Sequence, residues 1–304
     1  MADATITTRM IEANGLTFET DICGTGEKFA LLLHGFPETK FSWRHQMPLL
    51  ANLGYTAWAP NLRGYGGSSM PEGVDAYHID RLTDDVAGLI DAAGASETLL
   101  IAHDWGGVIA WVFAMKQMRP LSALITMNIP HPACMARELA SSWDQRRKSW
   151  YMFLFQLPRL PEWGLTRKQG QAVARAFTNM AIDKSRFPKE VTAEYVANAL
   201  RPGGMTAMIN YYRAGRRAGS KAFLSNDGMV RVRTLLIWGE KDAALAKATT
   251  FGTERYVPDL TVRYLPNVSH WVQQEAPEAV NAMMEAFIHH QTVPEFSAIN
   301  KTAT

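Results

Sequence analysis

A mostly parallel, doubly wound α/β sheet carrying an inserted helical cap is the architecture that this 304-residue sequence predicts. Three observations carry it. Short unbroken apolar runs recur along the chain, helical segments fill the gaps between them, and one long stretch lacks strands altogether. The runs are Phe29–Leu33, Thr56–Ala59, Thr98–Ala102, Ala123–Met127, Thr234–Trp238 and Thr261–Leu265. A strand covered on both faces needs such continuous apolarity, because neither side may point to water. Helical patterns at Tyr77–Ala93, Gly107–Met118 and Pro277–His289 supply the crossovers that parallel strands require.

Each end of the chain adds a smaller element. Asn14-Gly15 stands between two alternating stretches, the signature of a two-residue hairpin turn, so the chain opens antiparallel. The alternation stops between Pro132 and Met229, among helix formers, methionines and aromatics, with breakers at Ile129-Pro130-His131-Pro132 and Ser225-Asn226-Asp227-Gly228. The expected division is therefore a core of residues 1–132 and 229–294, a helical cap of 133–228 and a loosely held tail of 295–304.

Composition removes several functional classes. With 47% hydrophobic and 20% charged residues the chain can bury a large core, which argues against disorder. Lys+Arg 31 against Asp+Glu 29 leaves +2 without like-charge blocks, so neither a nucleic-acid tract nor a membrane-surface patch is expected. Cys23 and Cys134 show no C-x-x-C pattern, and no histidine spacing suggests a metal. No apolar run approaches the roughly 18 residues of a membrane span, and the N-terminus lacks a signal-like apolar region. The expectation is a cytoplasmic protein without metal or cofactor. Oligomeric state is left open, a homodimer included.

The strongest chemical signal is Leu99-Leu100-Ile101-Ala102-His103-Asp104-Trp105-Gly106-Gly107-Val108, a buried strand running into a helix through small residues. A tight strand-to-helix turn needs small neighbours where backbones crowd, and it lifts the central side chain, here Asp104, above the sheet. No G-x-S-x-G occurs, so a serine nucleophile is not available.

These residues, with His34-Gly35-Phe36-Pro37 and Arg63-Gly64-Tyr65-Gly66-Gly67-Ser68 before them, resemble the α/β-hydrolases that use an aspartate nucleophile, most closely the epoxide hydrolases. The resemblance implies the α/β-hydrolase fold and an oxyanion hole made by the backbone N–H groups of Phe36 and Trp105, with Pro37 holding the former. It implies Asp242 as orienting acid, with Glu240 as the alternative, and His270 as general base. Asn210-Tyr211-Tyr212-Arg213 is similar to the family's Asn-aromatic-Tyr-Arg motif, which points to Tyr212 as a proton donor, Tyr211 being its competitor. Phe155-Gln156 and Pro158 place Tyr151 at the other lid tyrosine. Substrate contacts are expected from His34, Pro37, Trp105, Trp150, Phe155 and Trp271. The aromatic cap, with Trp143, Met152, Phe153 and Trp163 besides, favours a small apolar epoxide as substrate, with water as co-substrate.

Chemistry agrees with the choice of aspartate. A carboxylate is already ionised near pH 7 and attacks a saturated carbon without a base. Two other readings share the fold. Fluoroacetate dehalogenases carry Arg-Gly-Gly-Arg after the nucleophile, where this chain has Trp105 and Val108, which cannot clamp a carboxylate. Haloalkane dehalogenases share the tryptophan but place Asn in the H-G-x-P turn and need no tyrosine pair. A non-catalytic binding scaffold is disfavoured because the complete set of reactive residues is present.

Overall fold

The computed structural model describes residues 5–302. Eight strands form one sheet: β1 (Thr7–Ala13), β2 (Leu16–Cys23), β3 (Lys28–Leu33), β4 (Tyr55–Pro60), β5 (Thr98–His103), β6 (Leu121–Met127), β7 (Thr234–Gly239) and β8 (Leu260–Leu265). Their order is β1-β2-β4-β3-β5-β6-β7-β8. The hairpin of β1 and β2 and the β2–β4 pair are antiparallel, and the remaining pairs are parallel. Asn14 and Gly15 both take positive φ in the hairpin turn, as its two central residues must.

Strand alternation sorts the continuous runs onto two faces. Leu31, Leu33, Leu100, Ala102, Leu124 and Leu236 join one buried cluster. Ala30, Leu32, Leu99, Ile101, Ile125 and Ile237 join the other. The helices α1 (Met47–Asn52), α2 (Ile79–Ala93) and α3 (Asp104–Lys116) follow strands, and their buried residues divide between the faces: Met47 and Leu50 of α1 pack on the second cluster, Leu82, Val86, Ile109 and Phe113 of α2 and α3 on the first. The sequence patterns did not reveal α1, whose six residues are too few to show a helical period.

Between β6 and β7 the chain is helical: α4 (Pro132–Ser141), α5 (Trp143–Lys148), α6 (Trp150–Leu154), α7 (Leu160–Met180), α8 (Lys189–Leu200) and α9 (Gly204–Ala218), with short 3-10 turns. This cap sits where the parallel strands end, so its inner surface faces the loops that follow β3, β5 and β7. α7 is broken at Arg167–Gly170, where Lys168, Gln169 and Gly170 all take positive φ.

After β8 come α10 (Val272–Glu275), α11 (Pro277–Ile288) and α12 (Phe296–Thr302). The loose tail expected over 295–304 is corrected for its described part. Val293 is buried, and Phe296 and Ile299 pack against the second cluster, so apolar residues spaced by three anchor a short helix that its polar composition concealed. Residues 303–304 lie outside the described residues.

Candidate active site

Asp104 opens α3 with φ of 48°, the left-handed region that a non-glycine residue enters only when its surroundings hold it there. The small residues of the turn explain how. A Cβ on Gly106 would stand 2.2 Å from the Leu33 carbonyl oxygen, and one on Gly35 would stand 2.3 Å from Cβ of Asp104. The bare backbones let β3 and β5 deliver their following loops to the same point.

The Asp104 carboxylate is almost entirely buried. Its Oδ1 accepts a hydrogen bond of 2.8 Å from the Phe36 N–H. The Phe36-Pro37 peptide is cis. Trp105, the second expected donor, makes no bond to the carboxylate among the described residues; its N–H is one of the unsatisfied first-turn donors of α3. On the other side, Oδ2 lies 3.6 Å from His270 Nε2, a charge contact longer than a hydrogen bond.

His270 follows β8, and its Nδ1 meets Asp242 Oδ2 at 2.6 Å. Of the two acids after β7, Asp242 faces the imidazole, whereas Glu240 pairs with Lys247. Asp242 is held from all sides: Asn128 Nδ2 donates to Oδ2 at 2.8 Å, and the N–H groups of Ala244 and Leu245 donate to Oδ1 at 2.7 and 2.9 Å. Burial opposes the charge on His270, but the carboxylates of Asp242 and Asp104 outweigh it and push the imidazole pKa up to about 10. Burial likewise opposes ionisation of Asp104 and Asp242, yet His270 and the hydrogen bonds hold both below the usual carboxylate range. The two flanking carboxyl groups thus favour the charged form of the imidazole.

Asp104 forms the base of a cavity of about 380 Å³ between α3 and the cap. Tyr151 of α6 and Tyr212 of α9 line it, with ring centroids 5.9 Å apart. Burial, and next the Asp104 charge, raise both phenols above their ordinary pKa, so both stay protonated. Tyr211, the competitor of Tyr212, points elsewhere and donates to the Arg63 carbonyl at 2.9 Å.

Of the six side chains expected to contact substrate, Trp105 lines the cavity and the other five do not. His34 is fully buried; it accepts from the Leu62 N–H through Nε2 and donates through Nδ1 to the Gly35 carbonyl, and burial lowers its pKa to about 4. It braces the turn. Pro37 and Trp271 are buried beside that turn and the His270 loop, and Phe155 stacks edge-on against Phe36 and Tyr212, supporting the wall from behind. Trp150 is 63% exposed on the outer cap surface, as are Trp143 and Trp163. Residue type alone does not tell the inner side of a short helix from its outer side.

Some buried groups escaped the sequence reading. Glu38 has no exposure, and its Oε2 meets His103 Nδ1 at 2.7 Å and the Gly35 N–H at 2.9 Å, while Oε1 accepts from Gln273 and Gln274. His103 Nε2 in turn donates to the His270 carbonyl at 2.9 Å. Burial opposes the Glu38 charge, and His103 and the Gly35 hydrogen bond hold its pKa down nonetheless. The signal available in the sequence was a lone acid directly after His34-Gly35-Phe36-Pro37; for Asn128, it was an amide at the end of a buried strand.

Comparison with known proteins agrees with this architecture. A family model described as the alpha/beta hydrolase fold matches residues 31–277, and the chain belongs to that family. Within it the chain belongs with the epoxide hydrolases. It is 37% identical over 263 residues to Epoxide hydrolase 3 of Xenopus tropicalis, covering 85% of this chain and 70% of that protein. It is 35% identical over 284 residues to the AB hydrolase superfamily protein YfhM of Bacillus subtilis (strain 168), covering 93% and 98%. Among solved structures, an epoxide hydrolase of Bacillus megaterium in complex with an inhibitor superposes with a TM-score of 0.85 at 30% identity, covering 92% of this chain and all of that one. No described helix is long and apolar enough to cross a membrane.

Proposed function

We propose that this hydrolase converts an apolar epoxide to a vicinal diol through a covalent ester on Asp104. The observation that carries the reading is one cavity with the buried Asp104 carboxyl at its base and the Tyr151 and Tyr212 phenols on its wall, backed by a histidine between two acids.

The steps follow from the contacts. Oδ1 of Asp104 is held by the Phe36 N–H, which leaves Oδ2 to attack a ring carbon. The C–O bond of the strained ring breaks, its electrons move to the ring oxygen, and Tyr151 and Tyr212 hydrogen-bond that oxygen. Asp104 becomes a neutral ester. His270 then loses one of the two carboxylates that held it charged, and its pKa falls; the net proton gained by the ring oxygen is the one the imidazolium gives up. Neutral His270 deprotonates a water that attacks the ester carbon. Negative charge gathers on Oδ1, where the Phe36 N–H already points and the Trp105 N–H can join it. Collapse breaks the ester, releases the diol and restores the carboxylate and the imidazolium.

The test is to trap the ester. His270→Asn keeps the nucleophile and the tyrosines but removes the base, so incubation with styrene oxide should add one substrate mass to the intact protein, and peptide mapping should place it on Asp104. Asp104→Ala should gain none. An adduct on another residue refutes the nucleophile assignment. Release of halide from chloroalkanes, without diol formation from epoxides, would support the dehalogenase reading instead.

A further inference from the structure

Three consecutive residues of α9 face three different parts of the molecule. Tyr212 lines the cavity. Arg213 is tied within the cap, to Glu162 at 2.7 Å and to the carbonyls of Phe155 and Leu157. Tyr211 turns toward the core. It is fully buried, its hydroxyl donates to the Arg63 carbonyl at 2.9 Å, and its ring centroid lies 5.6 Å from that of Trp105 and 5.7 Å from that of Tyr65. Arg63 opens the turn Arg63-Gly64-Tyr65-Gly66-Gly67-Ser68, which takes no part in the reaction steps. The core holds this turn rigidly. The Arg63 guanidinium meets both carboxylate oxygens of Asp85 in α2 at 2.5 Å, and Ser68 Oγ donates to the Asn61 carbonyl at 2.6 Å. The turn is also bare where the cap lands on it. A Cβ on Gly64 would stand 2.7 Å from Cβ of Ala207 in α9, and the Gly66 N–H donates to Asn198 Oδ1 of α8 at 2.8 Å.

We propose that Tyr211 is a positioning residue for ring opening, and that the Arg63–Ser68 turn is the platform that registers the cap against the nucleophile. The inference rests on the role given to Tyr212 in assisting that step. Asp104 belongs to the core and Tyr212 to the cap, so the placing of the phenol over the carboxylate depends on how α9 is seated and rotated. The Tyr212 ring is bounded by those of Phe36, Trp105, Phe155 and Tyr151, at centroid distances from 4.9 to 5.9 Å. Ring packing accepts a range of geometries, whereas a hydrogen bond fixes both distance and angle. Successive helix residues point about 100° apart around the axis, so an anchor at Tyr211 sets the direction in which Tyr212 leaves α9. The same platform reaches the oxyanion turn. Tyr65 meets His34 edge-on at 4.7 Å between centroids, and His34 accepts from the Leu62 N–H just before Arg63. One turn thus seats both the phenol that meets the ring oxygen and the brace behind the Phe36 N–H.

Single-turnover formation of the ester from styrene oxide is measured in wild type, Tyr211→Phe, Tyr212→Phe and the double variant. Tyr211→Phe keeps the ring and removes only the hydroxyl. It should slow ester formation by about three- to a hundredfold, the upper end being the cost of about an ångström of misplacement. Hydrolysis of the ester, which uses His270 and water, should be unaltered. In the Tyr212→Phe background the same substitution should have no further effect, because the group it positions is gone. Placing 4-aminophenylalanine at position 211 restores an N–H donor to the Arg63 carbonyl and should recover much of the lost rate. Asn198→Ala loosens the same turn from α8, and its effect on ester formation should likewise vanish beside Tyr212→Phe; this pair gives the same comparison should Tyr211→Phe not fold. An equal loss with and without the Tyr212 hydroxyl, or a wild-type rate in Tyr211→Phe, would overturn the positioning role. Ring opening at the wild-type rate in Tyr212→Phe would instead strike the part given to Tyr212, and the positioning with it.

Discussion

His270 sits between Asp242 at 2.6 Å and Asp104 at 3.6 Å with almost no exposure, and the sign of its pKa shift fixes how stability must respond to pH. Its pKa rises from 6.5 in the free state to about 10 in the fold, so its contribution is complete below about pH 6.5 and is lost as pH climbs through about 10. The Tm advantage of wild type over His270→Gln should therefore shrink steadily across that window in thermal melts. A constant difference would mean that the imidazole is neutral in the native state. The tyrosines allow a kinetic test at the same scale. Tyr151→Phe and Tyr212→Phe should each slow ester formation by roughly tenfold to ten-thousandfold, the range of acid assistance, in single-turnover measurements. Full activity of the double variant would remove the tyrosines from the reaction. Much of this constellation was legible in the sequence because its members sit in short motifs tied to strand ends: Asp104 after β5, Asp242 after β7, His270 after β8. Glu38, Asn128 and the contents of the cavity wall were not, because they depend on which side chains three distant loops bring together.

Among the elements, the turn from β5 into α3 shows why some sequence signals are so readable. Its requirements are steric: Gly106 abuts the Leu33 carbonyl oxygen and Gly107 abuts Ile129 Cγ2, with a Cβ placed at 2.2 and 2.1 Å respectively. The first contact is with backbone, which cannot swing aside as a side chain can. Gly106→Val should therefore cost about 1–3 kcal/mol or more of stability, with a lower urea midpoint at an unchanged m-value, and should displace Asp104 from the Phe36 N–H. Wild-type stability in that variant would show that β3 and β5 can separate without penalty. Elements specified by packing were harder to foresee than those specified by backbone crowding. α1 and α12 are short helices with two or three apolar anchors each, too few to register as a period.

Over the whole molecule, the cap and the core close around one reaction space, and among the ties between them one buried carboxylate also reaches the histidine loop. Glu275 of α10 is buried; its Oε1 accepts from the N–H groups of Ile182 and Asp183, just beyond α7 of the cap, at 2.9 and 3.0 Å. Its Oε2 accepts from the N–H of Ser269 at 3.1 Å and from the Ser269 hydroxyl, next to His270. The carboxylate thus joins the cap to the loop that carries the imidazole. A neutral amide cannot accept all four bonds through two oxygens, so Glu275→Gln leaves buried N–H groups without an acceptor, at about 1–3 kcal/mol for such a group. Both ends of the tie should respond. Amide hydrogen exchange should quicken at Ile182 and Asp183 and also around Ser269, and hydrolysis of the trapped ester should slow more than its formation, because the second half of the reaction depends on where His270 stands. Faster exchange in the cap alone, with both chemical steps unaltered, would show that Glu275 fastens the cap without positioning the histidine.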